Sequence, residues 1–172
     1  MATLDIVKLH IDPFWDHEYR FLYYIHESFN DVDSLNRWRN LGYSGLFTGA
    51  MCDMRSRQPS WNSKFIEYFS KLGWNNIGTS YYRMDTGTVL PTHSDLYTKY
   101  IDLFGLHNKK TSIFRAIVFL EDWQSGHYAE YNNQPYVNWK AGDCVYWQYD
   151  LPHMAANIGI APRYTLQITG HI

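Results

Sequence analysis

On extended backbone, residues i and i+2 point to the same side, so a His-x-Asp step can offer an imidazole nitrogen and a carboxylate oxygen to one metal ion. The chain contains two such steps, His10-Ile11-Asp12 and His93-Ser94-Asp95. The tripeptide alone does not choose between them, but a second histidine does. Two imidazoles and one carboxylate on one face of an octahedral Fe(II) leave three positions open, enough for a bidentate co-substrate and O₂. His153, in Leu151-Pro152-His153-Met154, supplies that histidine downstream of His93, and ten residues further on stands Arg163, with Thr165 two positions beyond it. An always-charged planar guanidinium beside a hydroxyl is a receptor for the remote end of a dicarboxylate. No comparable set follows His10.

These side chains can meet only if strands carry them together. From about Asn76 onward, short runs of β-branched and aromatic residues alternate with turn signals, and each run reads as a strand. The runs are 78–84, 89–93, 113–120, 127–131, 134–139, 144–149, 154–158 and 164–169. Asn132-Asn133 suits a tight hairpin because asparagine tolerates left-handed backbone, and Ala141-Gly142-Asp143 makes another break. The expected fold is mainly β with N-terminal helices, a double-sheet jelly roll covered on one outer face. Upstream, 60–72 carries Phe65, Ile66, Phe69 and Leu72 at helical spacing, with Ser60 or Asn62 to cap the start and Gly73 to end it. Residues 18–29 and 33–41, the second closing at Gly42, are further helix candidates. At 172 residues, with no linker or repeat, the chain is expected to form a single domain. Within it, residues 1–75 should pack as a helical layer on a 76–172 core.

Two strings carry a likeness to a known family. Tyr82 to Asp95, reading Tyr-Arg-Met-Asp-Thr-Gly-Thr-Val-Leu-Pro-Thr-His-Ser-Asp, resembles the strand and turn that introduce the first two iron ligands of 2-oxoglutarate/Fe(II)-dependent oxygenases. His153 to Thr165 resembles that superfamily's distal histidine followed by Arg-x-Ser/Thr. Tyr-Arg-Met, and Ala-Asn-Ile-Gly between His153 and Arg163, are nearest the aspartyl/asparaginyl β-hydroxylase-like branch. Asp95 is a departure, since that branch often lacks the carboxylate ligand. The likeness covers about 78–170 and leaves 1–75 unmatched.

The resemblance implies a double-stranded β-helix (jelly roll, cupin-like) in which His93, Asp95 and His153 bind Fe(II). It implies that Arg163 pairs with the C5 carboxylate of 2-oxoglutarate and that Thr165 hydrogen-bonds to it. Tyr82 matches a position that often donates to the co-substrate, while Tyr81 faces the opposite way and the register between them is open. Arg115 lies inside the apolar run Ile113 to Val118, where an unpaired charge costs several kcal/mol. Either its face of the strand is wet or Arg115 meets an anion in the barrel, which makes it a further candidate contact to the co-substrate. The activity implied is a dioxygenase that uses 2-oxoglutarate and O₂ and hydroxylates a C–H bond, of an amino-acid side chain free or in a peptide. Residues 96–110 are the expected substrate contact, over the mouth of the site.

Composition narrows the field. A net charge of −2, with acids and bases mixed along the chain, gives no basic stripe, so a small molecule or peptide is expected as substrate and nucleic acid is not. No run reaches the roughly 18 apolar residues of a membrane span, and Met1 to His10 lacks an apolar signal core. Cys52 and Cys144 lack metal-site spacing, and a soluble cytoplasmic protein is expected. Taken singly, His10, His17, His26, His107, His127 and His171 are surface or structural residues. Asn157 is a strand-end turn residue or a partner that orients a ligand. Trp123, Trp139 and Trp147 are expected in the core, whereas Tyr97 and Tyr100 suit core or pocket equally. Two alternatives compete: a cupin-like metal protein without 2-oxoglutarate, and a non-catalytic jelly-roll binding module that uses the aromatic residues, 18% of the chain, as stacking surface.

Overall fold

The computed structural model describes residues 6–45 and 47–172. The first five residues of the stretch Met1 to His10 lie outside it. In chain order the elements are β1 (Val7–His10), β2 (Tyr24–Ile25), α1 (Val32–Asn40), β3 (Ala50–Cys52), α2 (Asn62–Lys71), β4 (Asn75–Met84) and β5 (Thr88–His93). Then follow α3 (Thr98–Phe104), β6 (Ile113–Phe119), β7 (His127–Tyr131), β8 (Gln134–Tyr136), β9 (Asp143–Gln148), β10 (His153–Asn157) and β11 (Arg163–His171). One sheet runs β1-β9-β6-β11-β4-β3-β2 and a smaller one β5-β10-β7-β8. All pairings are antiparallel, and the fold is a double-stranded β-helix.

Alternation along the central strands separates two cores. On β6, Ala116 and Val118 join Leu166 and Ile168 of β11 and Cys144 of β9 against Phe65 and Phe69 of α2. The opposite face, carrying Ile117, Phe119, Val145 and Trp147, meets Ala129 and Tyr131 of the smaller sheet. The centre of the large sheet is thus buried on both sides, which is why β6 reads as a near-continuous apolar run. At one end α3 closes the sandwich, with Tyr97, Ile101 and Leu106 packed on Ile113.

The N-terminal region is less helical than its sequence predicts. Only His17–Phe21 of the expected helix 18–29 is helical, a 3-10 turn capped by Asp16, and Tyr24–Ile25 instead pairs with β3. Sheet extension satisfies more backbone there than a short isolated helix would. β1 adds to β9 at the other edge, a strand that has no alternation long enough to be read in advance. The 33–41 candidate forms as α1, capped by Asp31, whose carboxylate accepts from the Ser34 amide and hydroxyl. α2 forms without a side-chain cap. Ser60 donates instead to Glu18, and Asn62 accepts from Tyr81, so tertiary partners take both candidate caps. Asn132 and Asn133, at φ 50° and 61°, make the two-residue hairpin between β7 and β8.

Candidate metal centre

β5 and β10 are neighbours in the smaller sheet, and His93 and His153 are direct cross-strand partners. Their ring centroids lie 4.3 Å apart. Asp95, just past the end of β5, turns its carboxylate toward both: His93 Nε2 is 3.7 Å from Oδ1 and His153 Nε2 is 3.8 Å from Oδ2. One donor atom from each residue lies within 4.8 Å of the others, a spacing that can hold a metal ion. His10, by contrast, pairs with Asp143 at 2.8 Å on the sheet edge, and no other histidine joins it in a metal-sized cluster among the described residues.

The second nitrogens decide how the imidazoles present themselves. His93 Nδ1 is 2.8 Å from the Pro91 carbonyl and His153 Nδ1 is 3.0 Å from that of Leu151. A carbonyl only accepts, so each Nδ1 carries a proton and each Nε2 is the nitrogen turned toward Asp95. Burial, with a smaller contribution from His153, pushes His93 down to about 4 despite the opposing Asp95 charge, which keeps the ring neutral. Burial alone would raise Asp95, but Arg115 and then the two histidines hold it below the usual carboxylate range. Asp95 Oδ2 is buried without an aligned hydrogen-bond partner. The two imidazoles, that of His93 held neutral, and one under-satisfied carboxylate form a donor set suited to a divalent first-row metal.

Arg163 and Thr165 lie in register with Met84 and Tyr82 on β4. Arg163 is 8% exposed and makes no ion pair among the described residues; Nη1 donates to the Tyr128 carbonyl at 2.9 Å, and Nε is buried without a partner. Burial holds its guanidinium below the usual arginine range. Trp139 lies under it at 5.9 Å. The register left open between the two tyrosines is resolved: Tyr81 is buried in the outer core with its hydroxyl on Asn62, whereas Tyr82 turns inward, electrostatically coupled to Arg115 and Asp95. Arg115 also faces inward, and the anion nearest it is the Asp95 carboxylate, with Nε 3.2 Å from Oδ2. Of the two alternatives for Arg115, a wet face or an anion in the barrel, the structure places an anion beside it.

Several residues of this site carry no readable signal. Tyr131, the cross-strand partner of His153, stacks on it at 6.4 Å and acts electrostatically on Arg163. Trp147 packs 4.9 Å from His153. Phe29 and Trp38 stand edge-on to His93 at 5.0 and 6.1 Å, so the unmatched N-terminal region supplies a wall. Only an excess of aromatic residues hinted at these. Asn157 is a structural clamp: fully buried, it donates to the carbonyls of Met84 and Ala161 and accepts from the Gly159 amide. A groove of about 460 Å³ lies between α3 and the inner face of β4 and β11, lined among others by Ser80, Lys99, Tyr100 and Gln167. It adjoins Tyr82 but does not include the triad.

No helix among the described residues is long and apolar enough to cross a membrane. No protein-family description matches the sequence, and no curated protein matches it. The fold, in contrast, is shared with solved structures. A Pseudomonas putida prolyl-4-hydroxylase superposes with a TM-score of 0.58 at 13% identity, over 99% of this chain and 94% of that one. A predicted oxalate decarboxylase from Thermotoga maritima gives 0.42 at 13% identity, covering 72% and 80%. An uncharacterised double-stranded β-helix protein from Klebsiella pneumoniae gives 0.39 at 13%, covering 56% and 69%. The first of these aligns over nearly the whole chain, so the likeness of fold extends through the N-terminal region.

Proposed function

We propose that the chain is an Fe(II)- and 2-oxoglutarate-dependent dioxygenase that hydroxylates a C–H bond of an amino-acid side chain, free or in a peptide. The observation that carries the reading is a pairing of two unmet demands. His93, Asp95 and His153 bring three donor atoms to metal spacing around a carboxylate oxygen without an aligned hydrogen bond, and a buried Arg163, ten residues beyond the last histidine, makes no ion pair among the described residues. A metal ion with a dicarboxylate on it meets both. Fold likeness to a prolyl-4-hydroxylase supports a hydroxylase over a binding module, and the uncompensated Arg163 favours a dicarboxylate over a cupin without one.

His93, Asp95 and His153 would hold the iron, which when bound supplies O₂ activation coupled to oxidative decarboxylation of 2-oxoglutarate. The chain's own residues do the rest. The Pro91 and Leu151 carbonyls engage the two Nδ1 atoms, so both Nε2 atoms are the nitrogens presented to the ion. Arg163, flanked by Trp139 and Tyr131, is pre-organised to grip the remote carboxylate as a fork, with Thr165 and Tyr82 beside it. Phe29, Trp38 and Trp147 exclude water from the histidines. Residues 96–110, which include α3 and its groove, are the proposed substrate contact.

The test is spectroscopic. Anaerobic Fe(II) plus 2-oxoglutarate should give a weak visible charge-transfer band that His93→Ala and His153→Ala each abolish; an unchanged band in either variant would sink the assignment. Arg163→Ala should weaken 2-oxoglutarate by roughly 100-fold, as expected for losing a charge-assisted bidentate pair, while leaving iron binding intact. Succinate release screened against amino acids and peptides then identifies the substrate.

A further inference from the structure

Arg115 is 8% exposed and sits mid-strand on β6, between Trp147 of β9 and Thr169 of β11. A guanidinium there needs a compensating charge. Its one ion pair among the described residues is with Asp95, Nε to Oδ2 at 3.2 Å. The Tyr97 ring lies 4.7 Å from its guanidinium carbon on the other side. Tyr97 holds this position in left-handed backbone, φ 54°, a conformation costly for an aromatic residue and usually retained only where the surroundings enforce it. Two residues past the cluster's carboxylate, the chain therefore bends to lay a ring on the arginine beside that carboxylate, a charge contact in which neither Arg115 Nε nor Asp95 Oδ2 has an aligned hydrogen bond.

We propose that Arg115 is the resident counter-ion and positioning residue of Asp95. It compensates the buried carboxylate in the metal-free protein and holds Oδ2, so that Asp95 presents one oxygen to a metal. Only the metal half of this inference rests on the iron reading. The ion-pair half stands on the Arg115–Asp95 geometry alone. The pair differs from Arg163, which has no carboxylate and awaits one; Arg115 already has its anion and is not spent on a co-substrate.

A double-variant cycle on the full metal-free chain tests the ion pair. Arg115→Met and Asp95→Asn should each lower Tm by roughly 10 °C, because each strands one buried charge. Combining them should recover most of that loss, since neither charge then lacks a partner. Arg115→Lys should stay within a few degrees of wild type. If either single variant does not fold while the double variant does, that rescue supports the pair. Additive losses, or a double variant that does not fold, would overturn it and leave Arg115 a packing residue on Tyr97.

Anaerobic Co(II) alone reads the positioning role. At saturation the visible bands of Arg115→Met should shift from those of wild type as the released carboxylate changes its denticity, and Arg115→Lys should restore them; identical bands in wild type and Arg115→Met would refute positioning. Loss of the iron reading shows separately, as Co(II) binding that survives His93→Ala, and leaves the double-variant cycle untouched.

Discussion

His93 is where residue chemistry and stability meet. Its folded-state value of about 4 lies below the ordinary histidine value near 6.5, so the unfolded chain takes up a proton in this window that the folded chain refuses. Stability from this group is therefore complete above about pH 6.5 and drains away as pH falls toward 4. Urea unfolding of the metal-free protein at pH 7 and pH 4.5 should show wild type losing on the order of 2–3 kcal/mol more than His93→Gln over that interval. Equal losses would mean that His93 is not held neutral. The neutral state also suits metal binding, because a protonated imidazole has no lone pair to give.

At the scale of elements, ends and turns place the chemistry. Asn157 ties the β10–β11 connection to the end of β4 through one hydrogen bond, to the Met84 carbonyl, and shapes the connection itself through two more, with Ala161 and Gly159, and that connection sets where Arg163 lies relative to His153. Asn157→Leu removes those partners from buried backbone groups and should cost about 2–4 kcal/mol in chemical denaturation. Asn133→Gly should be neutral or stabilising by a few tenths of a kcal/mol, because both hairpin residues have positive φ and glycine suits that geometry; Asn133→Val should be destabilising. The strands from β4 onward, α1 and α2 were legible from periodicity and from the glycines that end the two helices, Gly42 and Gly73. β1, β2 and β3 were not, because edge strands of two to four residues owe their existence to the neighbours they extend.

For the whole molecule, the two cores on either face of the large sheet separate stability from the site. Phe69→Ala, in the outer core, should cost about 3–5 kcal/mol and leave the visible spectrum of bound Co(II) unchanged. Trp147→Ala, in the inner core and 4.9 Å from His153, should cost a similar amount and change that spectrum. The candidate ligands, Arg163 and Thr165 were legible because their chemistry and spacing along the chain are local facts, and so was the jelly roll, whose strands repeat on the scale of a short sequence window. Pairing was not. His93 and His153 become cross-strand neighbours only because β5 and β10 are adjacent in the smaller sheet, and a window of sequence does not contain its partner strand. For the same reason the choice of which tyrosine, Tyr81 or Tyr82, faces the site was settled only once β4 lay beside β11. Arg115 is the sharpest case: its sequence left a wet face and an anion both open, and only the tertiary structure brings the Asp95 carboxylate to it.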